Sequence, residues 1–291
     1  MPSDISRRAF FELAGGVVVA GAGGTLLAAC GGGGSSSRAA STTNPFTDQP
    51  LIVSSDLYAS TRPQRLAFTM FSGNGTPDAG RPARIALGPG GGALGPFMPA
   101  TPRGKGLDQF RGVYTVDATL PKAGKWAALV QYGGHQLSLP FDVAAKPVVV
   151  TVGEPAPRAA SPTNAHPLGA KHVCTRQPPC PLHTKSLADL VGRGRSVGLL
   201  FATPQYCTTR YCGQVLDALL PLVPKYAAHV DFVHCEIYLD SPAGSVIPTV
   251  DAWKLPSEPW FFAIDGDGVV RARLDGAFDQ TEMDEALRAL S

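Results

Sequence analysis

The chain has 291 residues, enough for two ordinary domains and a leader, and a 44% hydrophobic share sets it among globular rather than disordered chains. Charged residues make up 16% and the formal net charge is +2, so there is no basic field of the size that nucleic-acid binding needs. No nucleic-acid partner is expected, and no cofactor-binding motif stands out.

Residues 1–30 read as an export signal. Ser6-Arg7-Arg8-Ala9-Phe10-Phe11 is a twin-arginine box, and the apolar stretch after it is too interrupted by glycine to make a stable membrane span. The leader ends in Leu27-Ala28-Ala29-Cys30. That tetrapeptide resembles the lipobox of bacterial lipoproteins. The resemblance implies that Cys30 becomes the acylated first residue of the mature protein, held at the outer face of the cytoplasmic membrane. Residues 31–49, rich in Gly, Ser and Thr, read as a flexible tether with a reach on the order of 20 Å. Export also places Cys174, Cys180, Cys207, Cys212 and Cys235 where disulfides persist. An odd number of cysteines leaves one thiol over.

Residues 50–146 read as an all-β domain. Leu51 to Val53, Arg65 to Phe71, Ala83 to Leu87, Gly112 to Leu120, Lys125 to Tyr132 and Gln136 to Val143 are short apolar or alternating runs with turn signals between them, the pattern of a small antiparallel β-sandwich. Val113 to Ala118 followed by Gly124 to Val130 resembles a hairpin of exported immunoglobulin-like modules, with Trp126 as a core anchor. The glycine-rich Gly88 to Gly95 reads as a solvated loop, and His135 as a lone surface histidine.

Residues 147–170, which carry Pro147, Pro155, Pro157, Pro162 and Pro167, read as an extended linker. After it, Cys174 and Cys180 flank a segment holding Pro178 and Pro179. A metal reading would recruit His172, Cys174, Cys180 and His183, but this spacing matches no usual zinc pattern. The expectation is a structural Cys174–Cys180 disulfide and no metal.

From Ser196 onward the pattern is strand (to Ala202), cysteine turn, helix (Cys212 to Ala228), strand (Val230 to Tyr238), strand (Trp260 to Ile264), strand (Val269 to Leu274) and helix (Glu282 to Leu290). Asp265-Gly266-Asp267-Gly268 marks the turn of a hairpin. Cys207 and Cys212 sit where a strand becomes a helix, and a helix N-terminus favours thiolate over thiol. Two helical cysteines five positions apart would have Cα atoms roughly 8.7 Å apart, beyond the limit of about 7 Å for a disulfide. Cys207 therefore has to precede the helix, or the first turn has to unwind on oxidation.

A βαβ unit followed by a β-hairpin and a terminal helix resembles the thioredoxin fold over about Val152 to Ser291, or residues 171–291 as a domain, and Glu258-Pro259-Trp260-Phe261-Phe262 is similar to that family's cis-proline site. The resemblance implies thiol–disulfide exchange on exported proteins, with Cys207, Cys212 and Pro259 as site residues. The family's usual turn has two residues between its cysteines, and this chain has four. Three rival readings remain open: a redox-inert scaffold in which Cys207–Cys212 is a staple; a peroxiredoxin-like peroxidase, since such enzymes also use a Cys-x-x-x-x-Cys pair; and a copper carrier similar to the thioredoxin-like assembly factors of cytochrome oxidase. His234, expected inside a central strand, is badly placed as the copper ligand. Cys235 reads as a buried small hydrophobe.

Overall fold

The computed structural model describes residues 49–71, 77–107, 112–207 and 211–290. The expected export signal, the lipidation residue Cys30 and residues 31–48 of the tether lie outside the described residues, as do Thr208, Thr209 and Arg210 between the two cysteines. Among the described residues no helix is long and apolar enough to cross a membrane.

The N-terminal part is all antiparallel sheet, made of β1 (Gln49–Ile52), β2 (Ser60–Phe71), β3 (Pro77–Asp78), β4 (Ala83–Pro89), β5 (Met98–Arg103), β6 (Val113–Leu120), β7 (Gly124–Tyr132) and β8 (His135–Val143). The strand order is β1-β2-β6-β5-β4-β7-β8, with β3 against β2. β5 pairs through Met98 to Ala100 with β4 and through Thr101 to Arg103 with β6. It thus passes from one layer to the other, a usual way to turn a sheet corner. Between the layers, Leu66, Phe68, Met70, Tyr114 and Val116 pack against Ile85, Trp126, Val130 and Phe141. In β7 every second residue from Trp126 to Tyr132 is buried, the period that a half-buried strand requires. β5 was not among the expected strands; it carries Pro99 and Pro102, a residue type that strand interiors usually exclude.

The C-terminal part holds β9 (Ser196–Phe201), β10 (Val230–Cys235), β11 (Trp260–Ile264) and β12 (Val270–Asp275), in the order β10-β9-β11-β12. β10 runs parallel to β9, and β11 antiparallel to β9 and β12. This β-α-β, β-β-α sheet is the thioredoxin-like arrangement. The helices are α1 (Leu187–Leu190), α2 (Tyr211–Leu219), α3 (Leu222–Tyr226), α4 (Pro248–Ala252) and α5 (Gln280–Arg288). One continuous helix was expected from Cys212 to Ala228. It divides into α2 and α3 at Leu220 and Pro221, because Pro221 has no N–H to continue the first ladder and stands just before the start of the second.

Both faces of the sheet are covered, which is why all six residues of β9 are buried. On one face Leu200, Ala202, Phe261 and Ala263 meet Val215, Leu216 and Leu219 of α2 and Met283 and Leu287 of α5. On the other, Leu199, Phe201, Trp260 and Phe262 meet Val149, Leu187 and Trp253. The proline-rich 147–170 segment is extended, but it is bound along its course. Gly153 N–H donates to Val270 O (2.8 Å), Val270 N–H to Glu154 O (3.0 Å) and Ala156 N–H to Gly268 O (2.8 Å), along the outer edge of β12.

The two parts meet through a largely buried polar seam. Arg65 of β2 pairs with both carboxylate oxygens of Glu282 in α5 (2.7 and 3.1 Å) and donates to Asp275 O (2.9 Å) and Ala277 O. Burial opposes the charge on Arg65, and Glu282 and Asp275 more than offset this, so its pKa is raised. Asp279 caps α5 by accepting from Glu282 N–H (2.9 Å), and its other oxygen accepts from Gly104 and Lys105 N–H (2.8 and 2.9 Å). Val113 of β6 packs with Tyr211 at the start of α2 and with Ala277.

Candidate functional site

Two groups of cysteines lie near the C-terminal end of β9. The first is Cys207 and Cys212. The chain leaves β9 through Ala202 and turns back at Thr203, whose carbonyl accepts from Tyr206 and Cys207 N–H (3.2 and 3.0 Å). Cys207 is half-buried and precedes α2, whereas Cys212 is the second residue of α2 and fully buried. The Cys212 N–H donates to Cys207 Sγ at 3.4 Å. A free N–H of the first helical turn therefore points at the Cys207 sulfur, the arrangement that favours a thiolate. Burial, reinforced by the Cys207 sulfur and the Glu258 carboxylate, holds the Cys212 thiol well above its ordinary range. The two sulfurs face different environments within one turn of chain.

The Glu258–Pro259 peptide is cis, and β11 begins at the next residue, with Trp260 opposite Phe201 at the end of β9. Pro259 therefore lies at the same end of the sheet as the cysteine turn.

The second group is Cys174, Cys180, His183 and His234, whose four ligand atoms lie within 4.8 Å of one another. Cys174 Sγ and Cys180 Sγ are 3.9 Å apart; His234 Nδ1 is 4.0 Å from Cys174 Sγ, 3.4 Å from Cys180 Sγ and 3.2 Å from His183 Nε2; His183 Nε2 is 3.3 Å from Cys180 Sγ. Here the structure corrects the sequence reading. A Cys174–Cys180 bridge was expected, yet the sulfurs stand well beyond the S–S bond of about 2.05 Å, and both are unbridged and turned towards imidazoles. No metal was expected, yet four metal-ligating atoms converge. His172, weighed as a ligand, is exposed and takes no part.

His234 was missed because its strand was read as central. β10 is the outer strand of the sheet, and alternation sends His234 to the face opposite Cys235. Cys235 is buried, its thiol pushed up to about 12 by burial. The signal that could have found the site is the His183 ring three residues after Cys180, joined to a histidine that alternation removes from the Cys235 face.

Within the second group, hydrogen bonding from the Cys180 thiol, with help from both histidines, holds Cys174 far below its ordinary pKa despite burial. The same Cys174 sulfur, with burial, holds Cys180 far above. For His234, burial works against the charged ring, but Cys174 and Glu236 overcome it and the pKa is raised.

The groups are joined. Thr175, next to Cys174, donates from N (2.7 Å) and Oγ1 (2.9 Å) to Glu236 Oε1, and its Oγ1 accepts from the N–H of Gln205, two residues before Cys207. The loop bearing Cys174 thus underlies the turn bearing Cys207. Burial raises the pKa of Glu236.

No protein-family model matches the chain. No curated protein matches it either. Among solved structures, one assigned as a thiol:disulfide interchange protein DsbE from Chlorobium tepidum is similar at 19% identity over 49% of this chain and 99% of its own, with a TM-score of 0.35.

Proposed function

We propose that this chain is a membrane-anchored, extracytoplasmic thiol–disulfide exchange protein acting on exported proteins, with Cys207 as nucleophile, Cys212 as resolving thiol and Pro259 as a wall of the site. The observation that carries it is the Cys212 N–H donated to the half-buried Cys207 sulfur at the end of the central strand. The Cys207 thiolate attacks one sulfur of a substrate disulfide, forming a mixed disulfide and releasing the other sulfur as a thiolate that takes up a proton. Cys212, losing its proton, then attacks Cys207. The first substrate sulfur leaves, the substrate is reduced and Cys207–Cys212 is oxidised. The reverse sequence oxidises a substrate dithiol. The buried Cys212 has a raised pKa, so it resolves rather than initiates.

The anchoring part of the reading rests on the twin-arginine box and on Leu27 to Cys30. Cys30→Ser is expected to move the protein from the detergent phase to the soluble fraction. We further read the β1–β8 part as an immunoglobulin-like module. The layers β1-β2-β6-β5 and β5-β4-β7-β8 follow the ABED and CFG pattern, with β5 shared between them, and this supports the reading.

The exchange reading is tested by trapping. Cys212→Ser is expected to accumulate a mixed disulfide between Cys207 and an exported protein, and Cys207→Ser to accumulate none. A stoichiometric sulfenic acid at Cys207 with peroxide and no trapped partner would favour the peroxidase instead. A bridge that dithiols cannot open would leave only a staple.

A further inference from the structure

We propose that Cys174, Cys180, His183 and His234 form a structural zinc site. Zinc bound tetrahedrally, with Zn–S of about 2.3 Å and Zn–N of about 2.0–2.1 Å, sets ligand-to-ligand edges of about 3.8 Å between sulfurs, about 3.5 Å from sulfur to nitrogen and about 3.3 Å between nitrogens. Five of the six edges here are 3.9 Å between sulfurs, 3.3, 3.4 and 4.0 Å from sulfur to nitrogen, and 3.2 Å between nitrogens; the sixth, from Cys174 Sγ to the His183 ring, lies within 4.8 Å. The four ligand atoms converge on a space close to the size that tetrahedral zinc requires, with Cys174 having the furthest to close.

The surroundings orient the ligands. His234 Nε2 lies 3.0 Å from Ala202 O, so it carries the proton and donates it to that carbonyl, leaving the Nδ1 lone pair directed at the cluster. The backbone N–H of Cys180 donates to Cys174 Sγ at 3.4 Å, a bond that a thiolate accepts better than a thiol. His183 and His234 are essentially inaccessible to solvent, and Cys180 is buried. Two buried imidazoles facing two sulfurs make a poor apolar core, and a cation gives all four lone pairs one partner.

The donor set selects the metal. Two thiolates and two neutral imidazoles around Zn²⁺ sum to zero charge, which suits a buried place, whereas Cu⁺ would leave a net negative charge there. The set of four protein ligands is closed, as in structural rather than catalytic zinc sites. On binding, the ligand set releases to solvent any protons on its metal-facing sulfur and nitrogen atoms, and the two sulfurs form two Zn–S bonds as thiolates. The histidines add two Zn–N bonds, and no electrons are transferred. Three ligands come from the loop before β9 and the fourth from β10, so the ion ties that loop to the sheet. The site stands on its own geometry, independently of the exchange reading.

The test uses the reduced, metal-free full chain titrated with Zn²⁺ against a chromophoric chelator, with Co²⁺ as a spectroscopic probe. One equivalent of Zn²⁺ is expected, together with the strong visible bands of tetrahedral Co²⁺ and thiolate-to-metal charge transfer. Mass-mapped alkylation of the unaltered chain should find Cys174 and Cys180 protected by Zn²⁺ and released by chelator. The Cys207→Ser/Cys212→Ser double variant should keep the full equivalent, while Cys180→Ser and His234→Gln should lose it. The proposal is overturned by the absence of stoichiometric zinc in the reduced chain, by alkylation that zinc does not alter, by retention of Cu⁺ in preference to Zn²⁺, or by a Cys174–Cys180 disulfide in the zinc-treated protein. The alkylation map needs no substitution, so a variant that fails to fold does not blunt the test.

Discussion

Cys207–Cys212 and Cys174–Cys180 lie at the same end of one sheet and are both pairs of cysteines, but their sulfurs have different company. The Cys207 sulfur meets a helix N-terminal N–H, so its surroundings favour a negative, attackable sulfur. The sulfurs of Cys174 and Cys180 meet two histidine rings, so theirs favour a shared cation. Cysteine spacing alone does not distinguish the two uses. The distinguishing features are what faces the sulfur and whether solvent reaches it.

The largest expected effect separates the two pairs by chemistry. Cys207→Ser should lower thiol–disulfide exchange by roughly three or more orders of magnitude, as loss of a nucleophile generally does, with zinc stoichiometry unchanged. If exchange survives in that variant, the roles assigned to the two pairs are wrong. Next, removal of zinc should act on stability rather than on reactivity. At a free zinc concentration near 1,000 times Kd the bound ion stabilises the fold by about 4 kcal/mol, so chelator should lower the denaturation midpoint of the wild type and leave that of His234→Gln unmoved.

Arg65→Ala probes the side on which the β1–β8 part braces α2. It strands the Glu282 carboxylate in the seam, at a cost of about 3 kcal/mol, while Asp275 keeps its bonds from Ser54 and Ser55. Because Tyr211 packs with Val113 and Ala277 beside that seam, native-state alkylation of Cys212 should accelerate, while protection of Cys174 and Cys180 by zinc persists. Equal acceleration at all four cysteines would mean that the two pairs open together.

The smallest effect concerns the helices behind both pairs. Asp284 of α5 accepts from Lys225, Tyr226 and Arg288. Burial opposes its charge, but these partners prevail and lower its pKa to about 2. Because the folded-state pKa lies below the unfolded value, its contribution is fully present above about pH 4 and is lost as pH falls through 2. Asp284→Asn should therefore cost about 1 kcal/mol at pH 7 and almost nothing at pH 2, by denaturant titration at both pH values. Neither zinc stoichiometry nor Cys207 labelling should move.

Much of the C-terminal part was legible. The run from Ser196, the Asp-Gly-Asp-Gly turn and the Trp260 strand are periodic or carry turn chemistry, and β11 runs from Trp260 to Ile264 as expected. Asp265 accepts from Val269 N–H at 2.8 Å, and Gly268 takes a φ of +84° that the turn needs. What stayed hidden is non-local. β5 is held by two partner strands that override its prolines. The histidine–cysteine cluster draws its fourth ligand from a residue 51 positions beyond His183, a pairing set by strand order and not by spacing. The difference in exposure between Cys207 and Cys212 was legible, because the residue nearer the strand end was expected to be the reachable one, and Cys207 is half-buried where Cys212 is fully buried.

The segment before β9 has a further consequence for solubility. A four-stranded sheet with bare outer strands can add a strand from another molecule. Here residues 153–156 bond along β12, and at the opposite edge His234 of β10 donates its backbone N–H to Leu182 O at 3.2 Å. One stretch of chain thus wraps the sheet from edge to edge and occupies positions at which a neighbouring molecule would otherwise pair. Proteolytic nicking within it should leave a particle that self-associates, even if β9 to β12 keep their own pairing.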